Sequence, residues 1–337
     1  MSKKYYPLID IMRIIAAILV VGIHTYPFLQ YNPSLDFFTT HILGRIAVPF
    51  FFMATSFFLF RQGIPPVSKF QSVLKQLLMI DIICILIYFP IQIYNHSFSL
   101  EPMLILKDIF MNGTFYHLWY LPASMIGLVI VYLLLKYLKD WQSFIIVLIL
   151  YMIGLGGDSY FGLSVQIPFI NDFYTFIFQF CDYTRNGIFF APMFLWLGGF
   201  IAVHPYQIHK QHCSIACLIS FLLMSLEAII LTYYQIPRHD AMFITLPIVM
   251  LLLFMILISY RGQRYLLCKD LSLSIYIIHP LMIVIIRLIG KISHLEKYFI
   301  DNSLTHFLLV ILFSFLFSYL FILLKNGGFH HEKSSIR

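Results

Sequence analysis

Apolar stretches, each close to the length needed to cross a bilayer, follow one another through the 337 residues with little between them. Crossing about 30 Å of hydrocarbon takes roughly 20 helical residues at about 1.5 Å each. Ten segments approach that length, at about 8–29, 39–60, 73–94, 118–138, 142–156, 186–203, 213–234, 241–260, 272–290 and 304–325. The fifth is short and ends in Gly154, Gly156 and Gly157. Residues 104–115 read as a short interfacial helix, and 157–185 as a long connection carrying Asp158, Asp172, Asp182 and Arg185 among aromatics. Hydrocarbon offers the backbone no water to bond, so the spans must be helices. The expectation is an all-α integral membrane bundle of about ten transmembrane helices. It is a polytopic membrane domain over residues 1–325, followed by a polar cytoplasmic tail over 326–337. No internal repeat is visible, which gives inverted-repeat transporter architectures no support.

Composition agrees with lipid as the solvent. Only 11% of residues are charged and 61% are hydrophobic, against about 25% charged in soluble domains. The net charge of +7 lies in no basic run, so nucleic acid is not an expected partner. Cationic loops are retained on the cytoplasmic side. With the N-terminus inside, 14 of the 22 Lys and Arg fall in inner segments, including Lys3, Lys4, Arg61, Arg264, Lys333 and Arg337. Five fall outside (Lys107, Arg185, Arg238, Lys291 and Lys297), and nine acidic residues join them there. This bias predicts both termini in the cytoplasm. The five cysteines show neither a CxxC pair nor zinc-type spacing, so they read as packing residues and no metal is expected. The first apolar stretch contains Arg13 and lacks a small-residue cleavage site, unlike a cleavable leader.

Ionisable groups within a span cost at least about 2.5–3.5 kcal/mol at the bilayer centre, so each calls for a reason. The first helix carries Asp10, Arg13 and His24. Eleven residues separate Arg13 from His24, which places them within about 20° of one face and roughly 16 Å apart. Asp10 is spaced to pair with Arg13. His41 and Arg45 share a face of the second helix at the depth of His24, and His117 opens the fourth at that level. Asp81 and Glu227 are expected to face the bundle interior. His279 precedes Pro280, and Arg287 snorkels near a span end. The polar connections at 157–185 and 235–240, with Asp158, Asp182, Arg185, His239 and Asp240, are candidates for the mouth of a cavity. Imidazole suits a general base and arginine a carboxylate or phosphate anchor. Two chemistries stay open: acyl transfer by His24 with Arg13, or amino-acid binding in which Glu227 or Asp182 meets the ammonium.

Arg13-x10-His24, Arg45-Ile-Ala-Val-Pro-Phe-Phe-Phe-Met53, His117-Leu-Trp-Tyr-Leu-Pro122 and Ser274-Ile-Tyr-Ile-Ile-His279-Pro280 resemble the signatures of the acyltransferase-3 superfamily. That resemblance implies a ten-helix plan, with Arg13 and His24 handling an acyl donor, acyl-CoA, and catalysing transfer to an external acceptor. The chain reads Ala54-Thr55-Ser56 where family members often carry Ser-Gly, a glycine that would matter for close helix packing. A narrower resemblance rests on Gly154-Leu-Gly-Gly-Asp158-Ser-Tyr-Phe-Gly162, Asp182-Tyr-Thr-Arg185-Asn-Gly-Ile-Phe-Phe190 and Ile236-Pro-Arg-His239-Asp240. These segments are similar to the membrane domain of the serine racemases of vancomycin-resistance clusters (VanT type). It implies a bacterial cytoplasmic membrane and L-serine, or another small amino acid, as ligand. The racemase domain and its pyridoxal phosphate would lie beyond the C-terminal tail, so no racemase activity and no cofactor are expected of these residues. Arg13, His24, Arg45, His117, Asp158, Asp182, Arg185, Glu227, His239 and Asp240 are the expected substrate-binding set.

Overall fold

The computed structural model describes residues 5–95, 99–204, 209–263 and 265–334. Lys3, Lys4, Arg264 and Arg337 of the charge count lie outside them, as do the last three residues of the expected tail. The helices are α1 (Pro7–Thr25), α2 (Pro33–Phe37), α3 (Ala47–Phe60), α4 (Val67–Tyr94), α5 (Pro102–Lys107), α6 (Tyr120–Tyr137) and α7 (Asp140–Gly157). There follow α8 (Phe161–Ser164), α9 (Pro168–Phe180), α10 (Ala191–Val203), α11 (Lys210–Tyr233), α12 (Leu246–Ser259), α13 (Leu266–Ile292) and α14 (Ser303–Ser334). No strand occurs among the described residues. Among the described residues, eight helical stretches are long and apolar enough to cross a membrane, and α10 and α12 are shorter apolar helices. This is an all-α membrane protein.

The expected second span is longer than its apolar run suggests. It is helical from Pro33 to Phe60, but Phe38–Ile42 is a π-turn and Leu43–Ile46 a 3₁₀ turn. Such departures from α-geometry often mark functional sites. The connection at 157–185 is not a loop throughout, because α9 spans thirteen of its residues. Its Phe-rich sequence, with Asn171, Asp172 and Thr175, has modest helix propensity, and packing of Tyr174, Ile177 and Cys181 supplies what propensity lacks. Spans 186–203 and 241–260 begin later than expected, at Ala191 and Leu246. Proline near each start, Pro192 and Pro247, suits a first turn and cannot continue a helix backwards. The last helix continues past 325 to Ser334.

The chain divides into two compact units: residues up to Ala47 with those from Leu257 on, and Val48–Ile256. In the first, the terminal unit, α1, α13 and α14 pack together. In the second, the central unit, α10 packs on α6 and α7, and α4 on α6. Its core is aromatic. Phe52 and Phe194 flank Phe190 with ring centroids 6.1 and 4.9 Å away, and the fully buried Tyr151 donates its hydroxyl proton to Phe243 O at 2.7 Å.

The close packing that a glycine after Met53 would give comes instead from the facing helix. A Cβ at Gly198 would collide with Met53 O and lie 2.8 Å from Met53 Cα. One at Gly199 would sit 3.0 Å from Ser56 Oγ, and Ser56 donates its hydroxyl to Leu195 O. Overpacking a close contact costs about 1–3 kcal/mol. Gly198→Val is expected to cost at least that, lowering the unfolding temperature in detergent by several degrees. Ala54→Gly is expected to change it little. A thermal-unfolding series on the two variants checks both.

Candidate functional site

The expected site residues fall in both units, and each group is built differently. In the terminal unit, Arg13 Nη1 donates to Asp10 Oδ1 at 2.8 Å, with side chains only 12% and 8% exposed. Asp10 Oδ2 also accepts the Tyr265 backbone N–H at 3.2 Å, which ties the start of α13 to α1. Fourteen residues further along both helices, the rings of His24 and His279 stack at 5.5 Å. α1 and α13 therefore run side by side and in parallel, holding a charged pair at one end and two imidazoles at the other.

Pro280 explains how His279 is held. Proline has no N–H, so within a helix the carbonyl four residues earlier loses its partner. That carbonyl is Tyr276 O, and His279 Nδ1 lies 2.9 Å from it and 3.1 Å from Ile275 O. Only a protonated Nδ1 can bond a carbonyl, so Nε2 is the ring's acceptor nitrogen. His-Pro is thus one device, in which the imidazole repairs the break that the proline makes and is fixed as one tautomer.

At the same end, α1 stops at Thr25, and Tyr26 takes a left-handed φ of 50° with its N–H on Gly22 O. Its ring lies 6.2 Å from that of His41, which also stacks on Phe37 at 5.3 Å. Arg45 Nη2 lies 3.4 Å from His41 Nδ1. The π- and 3₁₀ turns set these two side chains, and a Cβ at Gly44 would approach Ile23 Cγ1 to 2.8 Å.

In the central unit, the segments before α10 and α12 are not helical, so their amides need other partners. Asp158, wholly buried at the end of α7, accepts Ala241 N at 2.7 Å and Met242 N at 3.1 Å through Oδ1. Its carbonyl accepts Arg238 N at 3.1 Å. Glu227, in the last third of α11, accepts Ile244 N at 2.6 Å, Thr245 N at 3.2 Å and Thr245 Oγ1 at 2.7 Å. These bonds put its negative charge at the positive end of α12. It also accepts the Tyr160 hydroxyl at 2.8 Å, and burial followed by this bond pushes the Tyr160 phenol up. Asn186 accepts Ile188 N and Phe189 N at 2.9 and 3.1 Å ahead of α10, and Thr184 donates to Gly154 O at 2.8 Å.

Asp182 is held elsewhere. Lys107 Nζ lies 2.6 Å from its Oδ1 and donates to Phe178 O at 3.2 Å. Asn112 Nδ2 donates to Asp182 Oδ2 at 2.6 Å and to Asp108 Oδ1 at 3.2 Å. Burial is the main cause that pushes the Asp108 carboxyl up, and the nearby Asp182 charge adds to it. So Asp158, Glu227 and Asp182 serve the backbone or a lysine, and Glu227 has its oxygens taken up by four donors. That geometry weighs against the ammonium-binding role expected of Glu227 or Asp182.

The remaining expected residues gather around aromatic faces. The Arg185 guanidinium lies 4.6 Å from the Tyr183 ring centroid and 5.4 Å from that of Trp119, and His239 sits 4.6 Å from Tyr183. Asp240 follows His239 on the segment that Asp158 anchors. His117, 2% exposed, is ringed by Tyr88, Tyr116 and Phe115 at 4.8, 5.5 and 5.7 Å. Asp81 is buried in α4, as expected. Sequence reasoning missed Lys107, Asn112, Trp119 and Tyr183. Trp119 and Tyr183 stand within two residues of His117 and Arg185, a cue that was available, whereas the Asn112–Asp182 bond joins residues 70 apart.

An all-α membrane protein with arginine–histidine groups on its first helix and before its broken helices defines a class, and comparison places the chain within it. The acyltransferase-domain family matches residues 6–323, and the chain belongs to that family. It is 40% identical over 331 residues to an amino-acid racemase of Enterococcus faecalis, covering 94% of this chain and 46% of the relative. A second amino-acid racemase of that organism is 39% identical over 313 residues, covering 92% of this chain and 44% of the relative. A serine/alanine racemase of Enterococcus gallinarum is 34% identical over 336 residues, or 97% of this chain and 47% of the relative. The chain thus spans about half the length of these relatives and corresponds to their membrane domain. No solved structure matches it.

The two kinds of site residue separate experimentally. Asp158→Ala strands the buried amides of Ala241 and Met242, at roughly 1–3 kcal/mol per unsatisfied group. Glu227→Ala removes the acceptor of three donors at the start of α12 and of the Tyr160 hydroxyl. Both are expected to lower the detergent unfolding temperature. Arg185→Ala and His239→Ala are expected to leave it within a few degrees of the parent. Differential scanning fluorimetry on the four variants reads the difference.

Proposed function

We propose that this membrane domain binds a small amino acid, L-serine foremost, and delivers it across the bacterial cytoplasmic membrane to a racemase in the cytoplasm. The observation that carries the reading is the group formed by Arg185, Trp119, Tyr183 and His239, with Asp240 next along the chain. Arginine matches a carboxylate bidentately. The aromatic faces and Asp240 suit an ammonium. The group stands on segments where helices stop, and irregular backbone at membrane depth is tolerated where it is buried in protein or lines a cavity. Racemase-named relatives supply the substrate class, since a racemase needs its amino acid on its own side of the membrane. In this reading both termini are cytoplasmic, and pyridoxal phosphate belongs to the racemase, not to these residues. Serine delivered this way would serve D-serine-containing cell-wall precursors, and through them vancomycin resistance.

Family membership supports a second reading, acyl transfer from cytoplasmic acyl-CoA to an external acceptor, with Arg13 steadying the donor and His24 as base. Uptake of radiolabelled L-serine into proteoliposomes decides between them. Saturable uptake that falls at least tenfold in Arg185→Ala is the expected outcome. Absence of uptake in folded protein that binds acyl-CoA would overturn it in favour of acyl transfer. The variant pair Arg13→Ala and His24→Ala tests whether the terminal unit belongs to the same route.

A further inference from the structure

The connection between α7 and α10 holds a helix whose place in the membrane neither reading uses. Ser143, early in α7, accepts Trp196 Nε1–H at 2.8 Å, whereas Tyr151, later in α7, stacks 6.4 Å from Phe190, just ahead of α10. The two helices are therefore antiparallel, and the chain between them turns back at one end of the bundle. α7 is long and apolar enough to cross a membrane, so its end lies where hydrocarbon gives way to headgroups. α9 is found there, with the Tyr174 hydroxyl donating to Ile153 O in the last turns of α7 at 2.7 Å. Its thirteen residues extend roughly 20 Å, too short to cross about 30 Å of hydrocarbon.

The sequence of α9 divides its circumference into three sectors. At about 100° per residue, Phe169, Phe173, Phe176 and Phe180 fall within about 60° of one another, and they are 81, 40, 58 and 45% exposed. Tyr174 and Ile177, with Ile170 and Phe178 packed against them, form a second sector turned towards the protein, centred roughly 115° away. Asn171, Asp172, Thr175 and Gln179 fill the third. A helix whose open surface met hydrocarbon alone would carry no such polar sector. One whose open surface met water alone would not align four phenylalanines in a single exposed stripe.

Two observations identify what covers the stripe. The first is area: at these exposures the four rings have roughly 450 Å² left to bury, taking about 200 Å² for a whole Phe side chain. A stable interface with a second copy needs about 800 Å² from each partner. The second is a neighbour of the same kind. A Cβ at Gly187 would lie 3.0 Å from Ala123 Cα, and one at Gly199 would lie 3.1 Å from Leu135 Cδ1, so α6 and α10 run parallel and begin at the same end. α5, which precedes α6, exposes Met103, Leu106 and Phe110 around its own last turns. Lys107 ties the two short helices together through Asp182 Oδ1 and Phe178 O. Two such helices side by side at one end of a membrane bundle, each with open apolar side chains, match the boundary of a bilayer.

We propose that α9 lies in the membrane interface, with the Phe169, Phe173, Phe176 and Phe180 stripe inserted among lipid chains and the polar sector turned to the headgroups and water. The partner is the bilayer itself. Amphipathic helices bind it in this way, with the apolar face sunk about 5–10 Å into the headgroup and acyl boundary. Asp182, Tyr183 and Arg185 follow α9 directly in the chain, so the inserted stripe sets the depth at which that segment is held. The anchor does not depend on whether the domain moves an amino acid or an acyl group.

Tryptophan quenching in proteoliposomes tests it. Phe173→Trp, Phe176→Trp and Gln179→Trp each add one fluorophore to the three native tryptophans, at positions exposed enough to accept it, and the added emission is read as the difference from the parent. Phosphatidylcholine brominated near the headgroup end of its chains is expected to quench at least half of the added emission at 173 and 176. Aqueous iodide is expected to quench the added emission at 179 at least threefold more strongly than at either of them. Iodide quenching equal at all three positions would show a stripe in water and overturn the proposal. Protection of 173 and 176 from both quenchers would show a stripe covered by protein, a second copy included, and overturn it equally. Strong lipid quenching at 179 as well would place the whole helix in hydrocarbon and overturn the interfacial position.

Discussion

Asp158 and Glu227 carry the backbone of the central unit through stretches where the α-helix stops. In hydrocarbon a helix satisfies its own amides, and any interruption must be made good by protein. Asp158 Oδ1 takes the amides of residues 241 and 242, and Glu227 takes those of 244 and 245. Together they fix almost every residue between the end of the polar segment and the first turn of α12. Gly162 N on Ile236 O at 2.8 Å fixes its beginning. Arg238, His239 and Asp240 are therefore held in place without helix, with the Arg238 guanidinium 3.7 Å from the Phe178 ring centroid and His239 against Tyr183.

His279 and Pro280 solve the same problem on a smaller scale. A proline within α13 opens one carbonyl, and the preceding imidazole closes it. The repair consumes one ring nitrogen and defines the other as an acceptor. A histidine with a fixed tautomer beside a second imidazole is a better-defined proton acceptor than one free to choose. The charged pair at the far end of α1 has a comparable double role. Asp10 neutralises Arg13 through one oxygen and anchors α13 through the other, which sets the parallel register that brings His24 and His279 together.

The sequence reading recovered the membrane character and the apolar segments because length and hydropathy decide both, and lipid allows few alternatives. It placed the Asp10–Arg13 pair from its spacing of three along one helix. It did not separate structural carboxylates from ligand-facing ones. Asp158 and Glu227 look like candidate binding residues because polar groups near spans are rare, yet their partners are backbone amides far along the chain, which no local pattern encodes. Helix α9 escaped for a related reason: its thirteen residues are too short to span and rich in weak helix formers, and tertiary packing decides its state.

The distribution of charge between the two units bears on what the domain does. An acyltransferase needs one base and one donor anchor, and Arg13 with His24 would suffice. The central unit would then have no evident use for an arginine on two aromatic faces beside a histidine and an aspartate, on segments whose immobilisation occupies Asp158 and Glu227. Holding irregular backbone at such cost makes sense where the segment itself meets a polar ligand. The narrower resemblance rests on these same segments, which include Asp158, Arg185, His239 and Asp240. Those segments all lie in the central unit. The terminal unit carries the Arg13 and His24 that the resemblance links to the whole superfamily, with Asp10 bonding the arginine through one oxygen and the start of α13 through the other.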